Sequence, residues 1–87
     1  MSHTLKGISE TRTVFLDGKL LNPEKSQKYH NHSPDGFNWG YGGSGPSQLA
    51  LAVVLEITGK PDNYQDFKWN TISKIPIDKD FEIEFEL

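Results

Sequence analysis

The sequence contains no cysteine, which removes disulfides and thiolate metal sites together. No apolar stretch approaches the ~20 residues that a membrane-crossing helix needs. The opening residues, Met1-Ser2-His3-Thr4-Leu5-Lys6, also lack the apolar core of a secretory signal. These absences predict a soluble protein in a cytoplasmic setting. An excess of basic charge is missing as well, because 9 Lys and Arg stand against 12 Asp and Glu, a formal net charge of −3. Long nucleic acid, which is usually gripped through its phosphates by a basic face, is therefore a disfavoured partner. No internal repeat divides the chain.

What is present is enough for one domain. The 87 residues are 34% hydrophobic and 24% charged, the balance of a globular chain. At this length a single core is only marginally sufficient, and assembly into a homodimer or higher homo-oligomer would supplement it. Residues 1–10 are polar and without period, which predicts a loose arm ahead of a single domain spanning 1–87. A strand is expected from about Arg12 to Leu16, with Val14 and Leu16 on one face. Asp17-Gly18 is a hairpin signal, and Lys19-Leu20-Leu21 returns as a second short strand. Asn22-Pro23 interrupts it, and Ser26 to His32 reads as an extended piece ending at the turn Ser33-Pro34-Asp35-Gly36.

A helix is expected from near Pro46 to Thr58, with Ser44 as its cap, proline in its first turn and Gly59 as terminator. Leu49-Ala50-Leu51-Ala52-Val53-Val54-Leu55 is apolar around almost the whole circumference, which predicts a helix buried on several sides. Asp62 is placed to cap a second, amphipathic helix in which Tyr64, Phe67, Thr71, Ile72 and Ile75 recur at helical spacing before Pro76 stops it. Phe81-Glu82-Ile83-Glu84-Phe85-Glu86-Leu87 alternates apolar and acidic side chains, the period of a half-buried strand. The fold class that results is α+β: a small antiparallel sheet packed on a buried central helix and a second amphipathic helix.

The chemistry concentrates in Gly36-Phe37-Asn38-Trp39-Gly40-Tyr41-Gly42-Gly43-Ser44-Gly45-Pro46, three rings and five glycines in eleven residues. Phe37, Trp39 and Tyr41 occupy every second position, so an extended backbone puts all three on one side. Stacking a base among such rings is worth roughly 1–3 kcal/mol per contact. Gly42-Gly43-Ser44-Gly45 leads into the helix and offers N–H donors and the positive helix end to a phosphate. Ser44 and Gln48 would add side-chain hydrogen bonds. The competing reading makes the rings core and the glycines close-packing residues. Pro46 stands where a Walker loop needs lysine, and the glycine spacing does not match a dinucleotide fingerprint.

His30 and His32 form a His-x-His pair that, with Asp35, is a conceivable metal site, although histidines in a polar segment are more often surface groups. Ser44 and Ser47 lack a nucleophile-elbow context. No catalytic residue and no cofactor is assigned. Trp69 falls off the apolar stripe of the second helix and is a candidate for a ligand or subunit surface.

The stretch from Ser33 to Ala52, SPDGFNWGYGGSGPSQLALA, resembles the signature of a family of small uncharacterised domains of bacteria, archaea and their viruses. The resemblance extends through Tyr64, Phe67 and Lys68 toward the terminal strand and implies a common fold and site, without catalytic residues. In design the chain is similar to phage proteins that sequester nucleotide immune signals. That analogy implies a protein, in the host cytoplasm if viral, that binds a cyclic or ADP-ribose-type nucleotide without altering it. Phe37, Trp39 and Tyr41 would enclose the base, the Gly42 to Gly45 backbone would hold phosphate, and Gln48 would read a polar edge. Asn38 belongs to the same site, and Arg12 or Lys28 would neutralise remaining charge. The rival readings are a protein-interaction inhibitor of a host defence enzyme, a short single-stranded nucleic-acid binder and a small histidine-dependent hydrolase.

Overall fold

Period-2 patterns lie at both ends of the chain, and the fold brings them together. The computed structural model describes residues 2–87. Four strands, β1 (Ser2–Ile8), β2 (Thr13–Leu16), β3 (Lys19–Leu20) and β4 (Phe81–Glu86), form one antiparallel sheet in the order β3-β2-β1-β4. Three helices lie between β3 and β4: α1 (Glu24–Tyr29), α2 (Ser44–Thr58) and α3 (Tyr64–Asn70), followed by a 3₁₀ turn at Ile72–Lys74. The domain is α+β.

The expected loose arm is instead β1, a central strand paired on both sides. Leu5 sits opposite Leu16 and Ile83, and Gly7 opposite Val14 and Phe81. Leu5 and Gly7 are buried, while Ser2 and Lys6 are exposed. The alternation was present in sequence but hidden, because one inward position carries glycine and another the imidazole of His3. In β4 the pattern is explicit: Phe81 and Phe85 are buried, and Glu82, Glu84 and Glu86 are exposed.

The extended piece expected at Ser26 to His32 is also corrected, since Ser26 to Tyr29 is helical in α1 and the chain turns extended only at His30. Asn22 Oδ1 accepts the N–H of Glu24 at 2.9 Å, and Ser26 Oγ donates to the Pro23 carbonyl at 2.7 Å. Those local bonds satisfy groups at the helix start and favour a turn over an extended chain.

In α2 every residue from Gly45 to Leu55 is buried. Its all-round apolar surface is covered by the sheet and by the flanking α1 and α3. Each fully buried aliphatic side chain of this kind contributes about 1.5–3 kcal/mol. Gly59 closes the helix in the left-handed conformation, its N–H donating to Leu55 O at 2.8 Å. Ser44 is not the cap: Gly43 holds that position in an extended conformation, and Ser44 is the first helical residue.

The second helix starts from Asn63, at φ 62°, rather than from Asp62. It ends at Asn70, because Thr71 leaves helical geometry at φ −130° and ψ −63°. Ile72 and Ile75 nevertheless remain buried through the 3₁₀ turn. Among the described residues no helix is long and apolar enough to cross a membrane.

Candidate functional site

The aromatic run joins α1 to α2, and its three rings do not share a side. Phe37 and Trp39 turn into the core, whereas Tyr41 is exposed. Gly40 lies between the last two at φ +86°, which breaks the extended alternation. A Cβ at Gly40 would also stand 2.6 Å from Ile77 Cα and 2.7 Å from the Ile75 carbonyl oxygen, so only glycine fits. The Gly40 N–H donates to Ile72 O at 3.0 Å and fastens the bend.

Trp39 is fully buried. Its Nε1–H donates to the Lys79 carbonyl at 3.0 Å, and its ring meets Phe81 edge-on at 4.8 Å and 73°. It therefore does not enclose a base, and Phe37 is likewise core. Gln48, expected to read a ligand edge, is fully buried and occupied within the protein. Its Oε1 accepts the Ser33 N–H at 2.9 Å, and its Nε2 donates to Ser26 Oγ at 2.9 Å and to His30 O at 3.1 Å. This amide ties the turn after α1 to the central helix.

Gly42 and Gly43 are also displaced from the expected anion site. Gly42 lies under the Trp69 ring, which a Cβ would strike. Its carbonyl accepts a hydrogen bond from Lys68 Nζ at 3.1 Å, and that ammonium stands 4.4 Å from the Trp69 ring centroid. The Gly43 carbonyl accepts the Ser47 N–H at 3.1 Å, inside the first turn of α2.

The remaining predicted residues do converge. Arg12, Asn38, Tyr41, Ser44 and Gly45 line a polar cleft of about 340 Å³ at the N-terminal end of α2, together with Ser33, Asp35, Gly36 and the buried Phe37. Asn38 Nδ2 donates to Tyr41 Oη at 3.3 Å on its rim. Ser44 and Gly45 are the first two helical residues, where backbone N–H groups lack intrahelical acceptors and the helix dipole is positive.

Arg12 comes from the link between β1 and β2, at φ 56°. Its Nη2 donates to Asp78 Oδ1 at 2.7 Å, and its guanidinium carbon lies 5.4 Å from the Trp39 ring centroid. Nη1 is shielded from solvent and has no acceptor among the described residues. A guanidinium oriented by one carboxylate and one ring at the wall of a polar cleft is a cation suited to an anionic ligand. Asp78, 66 positions away, fixes this geometry and carried no sequence signal. Asp35, expected in the turn before the aromatic run and as a partner of the two histidines, lines the cleft with Arg12 and Ser44.

His30 and His32 stack on each other, with centroids 3.9 Å apart and planes 9° from parallel. His32 Nε2 shares a hydrogen bond with Tyr64 Oη at 2.7 Å. Burial, then the neighbouring charges of His30 and Lys68, lowers the His32 pKa from its ordinary value. The pair lies outside the cleft lining, and Asp35 does not join it. Among the described residues no group of three or more His, Cys, Asp or Glu side chains is placed to hold a metal ion.

Fold and site together define a small α+β domain with a polar cleft where a buried helix begins. The chain belongs to a family of unknown function, DUF6166, whose family model matches residues 3–86. No curated protein and no solved structure matches it.

Proposed function

We propose that the cleft binds a nucleotide-type anion and holds it without chemistry, serving as a sink for a nucleotide-derived immune signal of cyclic or ADP-ribose type. The observation that carries this reading is Arg12, a guanidinium among the residues that line the cleft, beside the positive end of α2. Tyr41, not Trp39, offers the exposed ring.

Titration calorimetry and native mass spectrometry with cyclic dinucleotides, cyclic mononucleotides and ADP-ribose isomers test the reading. The expected result is saturable binding with the ligand recovered intact and at least tenfold weaker binding for Arg12→Gln. Failure of the whole panel to bind, or recovery of an altered product, overturns it. The inhibitor reading draws support from Trp69 and Ile77, which are each more than half exposed and lie outside the cleft lining. Loss of a protein partner on Trp69→Ala, with nucleotide binding absent, would favour it.

A further inference from the structure

Two cavities meet at Arg12. The polar cleft of about 340 Å³ adjoins a second cavity of about 240 Å³ beside the β2–β3 hairpin, and the two share Arg12, Asp35, Gly36 and Phe37. Small-molecule sites usually measure about 300–1,000 Å³, so each alone is at or below the lower end and the pair together falls inside the range. The second cavity differs in character. Val14, Leu20, Leu21 and Pro23 give it an apolar wall, and Leu20 is 64% exposed on a strand of only two residues.

The order of chemistry along the joined cavities is directional. At one end are the backbone donors of Ser44 and Gly45, and Arg12 stands in the wall that both cavities share. In the shared wall stands the exposed carboxylate of Asp35, whose side chain has no hydrogen-bond partner among the described residues. An ionised carboxylate only accepts hydrogen bonds and repels a phosphate, so the part of a ligand lying there must bring donors and no second negative charge. At the other end the apolar wall fits a flat, weakly polar group.

Resting on the cleft reading above, we infer that the occupant is a single ribonucleotide unit. Its phosphate sits at the start of α2, its ribose hydroxyls donate to Asp35, and its base covers Leu20 and Pro23. The base therefore lies on the hairpin side of Arg12 rather than among the aromatic run.

The test measures dissociation constants for AMP, GMP, CMP and UMP, for their 2′,3′-dideoxy counterparts, and for inorganic phosphate. Leu20→Ser and Asp35→Asn serve as variants, and exposure of both positions leaves the core intact. At least one ribonucleotide is expected to bind tenfold or more tightly than its dideoxy form, and Asp35→Asn to erase most of that preference. Leu20→Ser should weaken the nucleotide about tenfold and change phosphate binding less than twofold. Equal affinity for ribo and dideoxy forms, or indifference to Leu20→Ser while phosphate still binds, overturns this inference and leaves the cleft reading standing. If neither phosphate nor any of these nucleotides binds, this inference falls, and the cleft reading falls with it only when the cyclic nucleotides and ADP-ribose isomers fail as well.

Discussion

The indole N–H of Trp39 and the backbone carbonyl of Lys79 are joined by a 3.0 Å hydrogen bond spanning 40 positions of sequence. This bond links the glycine-rich run to the segment entering β4, with Phe81 packed against the same ring. The most conspicuous aromatic of the motif is thus a fastener between two halves of the domain.

Trp39→Ala should destabilise the protein by about 3–5 kcal/mol, the usual cost of removing a buried aromatic ring. Trp39→Phe, which keeps a ring but leaves the Lys79 carbonyl unpaired, should cost about 1–3 kcal/mol. Urea unfolding followed by circular dichroism measures both. A Trp39→Ala protein as stable as the parent would refute the assignment.

Gln48→Ala should remove three hydrogen bonds at once and cost about 2 kcal/mol or more, since buried partners are left unsatisfied. Amide exchange offers a local readout: the Ser33 N–H should lose protection more than amides in the middle of α2. Uniform change across the chain would contradict a local tie.

Gly40→Ala and Gly42→Ala should differ. At Gly40 the added carbon meets backbone at a positive φ, so overpacking adds its usual ~1–3 kcal/mol to conformational strain. At Gly42 the obstacle is the Trp69 ring, which is 56% exposed and free to move outward. Trp69→Ala should restore most of the melting temperature lost by Gly42→Ala and none of that lost by Gly40→Ala.

Acidification should destabilise the fold in a window set by His32. Unfolded His32 takes up a proton near pH ~6.5, whereas the folded residue does so only at lower pH. Between those values the unfolded state binds more protons, so stability falls as pH drops through that window and is unaffected above it. Melting temperature from pH 7.5 to 5.5 should therefore decline, and His32→Gln should reduce the decline. Asp17 acts elsewhere. Its pKa is lowered by the His3 side-chain hydrogen bond and the Thr4 N–H, so its contribution is present above the ordinary carboxylate range and disappears only in stronger acid. An unchanged pH profile in His32→Gln would exclude His32 as the source.

Asp78→Ala should separate positioning from stability. Asp78 is largely exposed and Arg12 partly so, and loss of the pair should cost about 1 kcal/mol or less. Phosphate affinity should nevertheless fall several-fold as Arg12 loses its orientation. Unchanged affinity would mean that Asp78 does not position the guanidinium.

Elements with an uninterrupted pattern were legible in the sequence: the all-apolar α2, its Gly59 terminus, the β2–β3 hairpin and the alternating β4. β1 was not, because period 2 is weak when glycine and histidine take inward positions beside a single Leu5. α1 was concealed in a polar stretch whose helical start depends on Asn22 and Ser26 bonding to backbone. At the site, composition identified the right segment but not the facing of its members. Gly40 decides that Trp39 enters the core and Tyr41 leaves it, and Gln48 is claimed by partners 15, 18 and 22 positions away. The pairing of Arg12 with Asp78 depends on tertiary structure alone.

Ser2 lies directly across from Glu86 in the β1–β4 ladder. During synthesis the strand made first must wait for the one made last before its second edge is covered, so the central sheet cannot close until β4 has left the ribosome. The same adjacency lets the domain be closed into a ring: a short linker joining residues 86 and 2, with new ends opened at Asp17-Gly18, should retain the sheet while placing β4 ahead of β1 in the order of synthesis.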